Sequence, residues 1–65
     1  MGYQDRVLEE RSNLYEKLLA LEKFINADSG IFADLRFDEQ RRLIRQSLIM
    51  KLYMDVLDER VHNFK

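Results

Sequence analysis

Sixty-five residues with two glycines, no proline and no cysteine form one small domain, without disulfides, thiolate metal sites or cysteine nucleophiles. The hydrophobic fraction of 46 % is too high for a disordered chain. The 35 % of charged residues balance to −1, which argues against duplex DNA as a partner because phosphate-neutralising proteins carry a basic excess. No run approaches the roughly 20 apolar residues that cross a bilayer, and the opening MGYQDRVLEER has neither the basic nor the apolar part of a signal peptide, so the expectation is no membrane and an intracellular protein.

The first predicted element is a helix over about residues 3–26, uninterrupted by proline or internal glycine. Val7, Leu14, Leu18, Leu21 and Ile25 fall on one helical stripe. Arg11 interrupts that stripe. Its stem can pack while the guanidinium reaches solvent or a carboxylate; the alternative is an anion-binding arginine at an interface. Tyr3, Glu10, Lys17 and Phe24 recur every seven residues on a common face, with Arg6 one turn from Tyr3.

Asn26, Ala27, Asp28, Ser29 and Gly30 end the helix, since such residues compete for backbone hydrogen bonds or tolerate turn conformations. A short helical turn over about 29–35, capped by Asp28 or Ser29, would bring Ile31, Phe32 and Leu35 to the end of a hairpin. Asp38 is the expected N-cap of a second long helix over about 38–63, with Glu39 near the positive end of its dipole.

In that helix Leu43, Ser47, Met50, Met54, Leu57 and Val61 form a continuous seam. A second row, Ile44, Leu48, Leu52 and Val56, runs beside it, and Ile49 and Tyr53 lie off both. The apolar surface is therefore wider than one neighbouring helix covers. A core of this size contributes no more than about 3–5 kcal/mol to a monomer unless disulfides, metal or association help. The expected fold class is all-α: an antiparallel helical hairpin with a short helical turn in the connection, assembling into a homo-oligomer, either a four-helix dimer or a larger closed ring.

Catalytic material is sparse. His62 is the sole histidine, and Ser12, Ser29 and Ser47 have no evident base beside them, so the protein reads as no enzyme. Glu59 and His62 give one Glu-x-x-His, whereas di-iron bundles need two such motifs and further glutamates; it reads as a charged tail, and no metal or other cofactor is expected. Phosphate-binding glycine loops are excluded too. Any phosphate would be held by side chains.

Arg36, Arg41, Arg42, Arg45 and Lys51 crowd the first half of the second helix, and Asp55, Asp58 and Glu59 follow. Two readings fit this change of sign: antiparallel pairing between hairpins, or a basic pocket where symmetry gathers arginines. On the first helix Tyr3 and Lys17 are about 21 Å apart, too far to hold one small ligand within a chain, though a neighbouring antiparallel copy could bring one chain's tyrosine to the other's lysine. Tyr3 as a staple at the helix start and Lys17 as a surface residue is the alternative.

The stretch YQDRVLEERSNLYEKLLALEKFI, the loop with IFADL, and EQRRLIRQSLIMKLYMDVLDERV together resemble small phage proteins related to a crAss-like phage protein, a group similar to the phage anti-CBASS sponges. Arg6-Val7, Glu10, Leu14, Lys17, Leu21, Phe24-Ile25, Phe32, Leu35, Gln40, Leu43, Gln46, Met50, Tyr53, Leu57 and Arg60-Val61 carry the resemblance over nearly the whole chain. It implies a hexamer of hairpins that binds cyclic di- or trinucleotides without cleaving them, in the cytoplasm of an infected bacterium. It further implies a stacking tyrosine and a phosphate-contacting lysine, here Tyr3 and Lys17 with Arg6 assisting, and Arg45 at a second, symmetry-axis site. Two other readings remain open: a small RNA-binding four-helix-bundle dimer, like the plasmid copy-control hairpin, and a structural or protein-interaction bundle.

Overall fold

The computed structural model describes residues 2–27 and 30–64. These form three helices: α1, Tyr3–Asn26; α2, Ile31–Asp34; and α3, Phe37–His62. The described residues contain no strand. Contacts between Tyr3 and Phe64, Arg11 and Asp58, and Glu22 and Lys51 run in opposite directions along α1 and α3, which makes the pair antiparallel. The result is a rod of 47 × 17 × 15 Å.

Val7, Leu14 and Leu18 of α1 meet Met54 and Leu57 of α3 in the core, with Met50, Val61 and Phe64 packed against them. All but Phe64 come from the two stripes legible in the sequence. Leu57 is fully enclosed. Ser47 is the one polar side chain buried among the described residues, and its hydroxyl donates to the Ile44 carbonyl at 2.7 Å, within its own helix. Such a bond satisfies the hydroxyl locally, so a small residue can sit on the seam.

The connection differs from expectation in its caps. Gly30, at φ +80°, precedes α2, a left-handed conformation that glycine adopts without the Cβ penalty of other residues. Asp28 and Ser29, the expected caps, lie outside the described residues. Phe32 packs edge-on against Phe24 with centroids 6.2 Å apart, while Ile31 is exposed. The Gln40 side-chain amide donates to the carbonyls of Phe32, Ala33 and Leu35 at 3.0–3.1 Å. A helix end leaves carbonyls without intrahelical donors; here the Leu35 N–H meets that of Phe32, and the Gln40 amide is shared among Phe32, Ala33 and the C-cap Leu35.

α3 begins one residue earlier than expected, and Asp38 is not its N-cap. Arg36 holds that position, its carbonyl accepting from the Gln40 backbone N–H at 3.0 Å. Asp38 instead lies in the first turn, where its carboxylate accepts from the Glu39 N–H at 3.0 Å and faces Arg42 at 3.4 Å. A carboxylate there still complements the helix dipole. At the other end Asn63 closes α3, its side-chain amide donating to the Glu59 carbonyl at 2.7 Å.

Candidate functional site

The two flanks of the hairpin are built differently. On one, Arg11 pairs with Asp58 and Lys51 stands 4.0 Å from Glu22, tying α1 to α3 at two levels. The arginine that interrupts the α1 stripe thus gives its guanidinium to a carboxylate, the partner named in the first of the two roles its position allowed.

The opposite flank is open. Arg6, Glu9, Glu10, Asn13, Leu14 and Lys17 of α1, with Tyr53 of α3, line a cleft of about 450 Å³. Helical spacing explains the grouping: residues 6, 10, 13 and 17 succeed one another at steps of three and four along one edge of α1. Tyr53 follows from α3, one residue before the buried Met54 and hence on its shoulder. The tyrosine is 42 % exposed, so part of its ring is available to a ligand, and Leu14 lines the cleft with it.

Arg6 and Lys17 make no ion pair with a carboxylate among the described residues. They stand about 16 Å apart along α1, at either end of the cleft. Between them Glu9, Glu10 and Asn13 supply acceptors, and Asn13 supplies donors as well. Two cations and two carboxylates balance in formal charge. Such a lining suits a ligand with separated anionic groups and polar edges between them better than a continuous run of phosphates.

Of the four residues expected at a ligand site, the structure brings two together. Arg6 and Lys17 share the cleft. Tyr3 lies elsewhere, edge-on to Phe64 with centroids 5.9 Å apart, at the end of the hairpin remote from the loop. Arg45 lines a second cleft of about 310 Å³ with Arg42, Gln46, Ile49 and Met50. Ile49 precedes Tyr53 by one turn, so the second cleft continues the first along the same flank. Sequence reasoning missed Tyr53 as a site residue; its signal was that it fell off both apolar rows of α3. Among the described residues no three His, Cys, Asp or Glu side chains gather closely enough to hold a metal ion, and no helix is long and apolar enough to cross a membrane.

Comparison with known proteins gives a family whose name points to a binding role. The chain is 38 % identical over 65 residues, all of this chain and 98 % of the relative, to the "Uncharacterized 7.5 kDa protein in denB-rIIB intergenic region" of Enterobacteria phage T4. No solved structure matches. The family description Sequestin, a word that denotes holding a ligand rather than converting it, matches residues 1–63. A match of that extent, together with a full-length phage relative, shows that the chain belongs to the Sequestin family.

Proposed function

We propose that this protein is a phage anti-defence sponge that binds a cyclic di- or trinucleotide second messenger in the Arg6–Lys17–Tyr53 cleft and holds it without cleavage. The observation that carries this reading is the cleft's composition: two cations without ion pairs, a half-exposed tyrosine ring and carboxylate and amide groups between them. A cyclic oligonucleotide offers the matching chemistry. Its phosphates are separated by nucleosides, its bases stack on an aromatic face, and base amino groups donate to carboxylates. Glu9 and Glu10 would repel a single-stranded backbone tracking along the cleft, which favours the small cyclic ligand over RNA.

In this proposal Tyr53 takes the stacking role that the family resemblance assigned to Tyr3, and Lys17 keeps the phosphate contact with Arg6 as the second cation. The working form is a homo-oligomer, a hexamer by that same resemblance, acting in the cytoplasm of an infected bacterium to lower the free messenger of a CBASS-type defence. Calorimetry with a panel of cyclic di- and trinucleotides tests it. At least one ligand binds, and Lys17→Gln or Tyr53→Ala weakens it by about tenfold or more, the scale of one lost charge-assisted hydrogen bond or base stack. Helicity by circular dichroism stays unchanged. Failure of every cyclic nucleotide to bind at micromolar protein removes the proposal.

A further inference from the structure

The outer face of α3, turned away from α1, carries a pattern that the hairpin does not use. Ile44, Leu48, Leu52 and Val56 form a row along it and are 43 %, 53 %, 66 % and 51 % exposed. Arg41 and Arg45 flank its first half, and Asp55 and Glu59 its second; all four are exposed. At 3.6 residues per turn these eight side chains fall within roughly 120° of the helix circumference.

Mirrored about Met50, each residue meets its chemical complement. Arg41 corresponds to Glu59, Ile44 to Val56, Arg45 to Asp55 and Leu48 to Leu52. A surface with this property is complementary to itself under a two-fold rotation, the requirement of an isologous contact. A second, independent observation points the same way. Among the described residues the ion pairs use Arg11, Arg36, Arg42, Lys51, Glu22, Asp38, Glu39 and Asp58, and none uses Arg41, Arg45, Asp55 or Glu59. Arg41 has the Phe37 ring at 6.0 Å and, among those residues, no carboxylate partner. The charges that the mirror pattern matches are thus left open by the monomer.

We infer that α3 packs antiparallel against α3 of a second copy of this chain, with the two-fold axis passing between Leu48 and Leu52. Each Arg45 then faces Asp55 of the second copy, and each Arg41 faces its Glu59. The apolar row supplies the affinity. Exposed ion pairs add at most about 1 kcal/mol each, but a parallel arrangement would set Arg against Arg and acid against acid, so the charges fix the direction. Arg41 and Glu59 lie some 27 Å apart along α3, and a shallow crossing of about 20° keeps both outer pairs in reach, where a crossing of about 50° would splay them. In this arrangement Arg45 belongs to the contact between copies and not to the ligand. The Arg6–Lys17–Tyr53 flank stays open.

This inference rests on the homo-oligomer of the proposed function and not on its ligand. Its test is sedimentation of the full chain at micromolar concentration, comparing wild type, Arg45→Asp, Asp55→Arg and the double variant carrying both changes. The wild type is expected to be a dimer or an even multiple of it. Each single variant weakens assembly by tenfold or more, because the two-fold duplicates every change, and the double variant assembles again. Circular dichroism shows all four equally helical, since these side chains take no part in the core. Single variants that assemble like wild type, or a helical double variant that stays dissociated, overturn this surface and leave oligomerisation elsewhere in place. A monomeric wild type overturns the surface and the oligomeric reading together, while cyclic-nucleotide binding by that monomer would keep the sponge.

Discussion

Arg6 and Arg11 lie five residues apart on the same helix and have opposite fates. Arg11 is half-covered and held by Asp58; Arg6 is exposed at the mouth of a cleft and has no carboxylate partner among the described residues. The difference comes from the flank each one occupies. On the Arg11 side α3 presents Lys51 and Asp58, which form ion pairs with α1; on the Arg6 side it presents Gln46, Ile49 and Tyr53, which carry no charge to offer it. One flank closes the hairpin and the other is available to something outside it. A cation's role in a two-helix protein is therefore set by what the facing helix offers at that level more than by its own helix.

Several substitutions break or sharpen this contrast. The largest effect falls on what both flanks share: Leu57→Ala removes a fully enclosed side chain and lowers stability by about 2–5 kcal/mol, read as an earlier midpoint in urea unfolding. Next is Gln40→Ala, which removes the side-chain donor from the carbonyls of Phe32, Ala33 and Leu35, of which Phe32 keeps the Leu35 N–H. The region is partly solvated, so the expected loss is about 1–2 kcal/mol, with amide exchange accelerated in α2 and the first turn of α3 before the rest of the chain. The smallest distinguishes the flanks themselves. A double-mutant cycle of Arg11→Ala and Asp58→Ala is expected to give a coupling of no more than about 1 kcal/mol, discounted because the two side chains are 40 % and 44 % exposed. Lys17→Ala, on the open flank, should show no such coupling with any carboxylate; a stability loss as large as that of Arg11→Ala would contradict the division of labour.

Much of the hairpin was legible in the sequence because its core repeats at helical spacing. The stripe of Val7, Leu14 and Leu18 and the seam of Ser47, Met54 and Leu57 are the residues that fold inward. The caps were harder. Asp38 has the chemistry of an N-cap, yet Arg36 takes the position, because a cap is defined by where the chain bends and the α2–α3 link bends two residues earlier. The cleft was only half legible. Arg6 and Lys17 could be placed on one edge of α1, but their aromatic neighbour comes from α3, 36 residues beyond Lys17, and no local spacing identifies it. Tyr3 shares a seven-residue period with Lys17 but is separated from it along the helix axis, so any pairing of the two belongs to neighbouring copies and not to the cleft of one chain. The mirror pattern on α3 was visible as a change in the sign of charge, but its significance depended on which carboxylates the hairpin had already engaged.

The Ser47 hydroxyl bonds to its own helix, so among the described residues the buried seam contains no polar contact from one helix to the other. Alignment of α1 along α3 is consequently fixed by shape in the middle and by Arg11–Asp58 and Glu22–Lys51 on one side only. Sliding α1 by a full turn would break those two pairs, disturb the fit around Leu57, part Tyr3 from Phe64 and move Arg11 to a level now held by Val7 or Leu14. The hairpin is thus a ruler with its graduations on one edge, and the unmarked edge is the one that holds the cleft. Small adjustments of that edge to an occupant can occur while the marked edge holds the register.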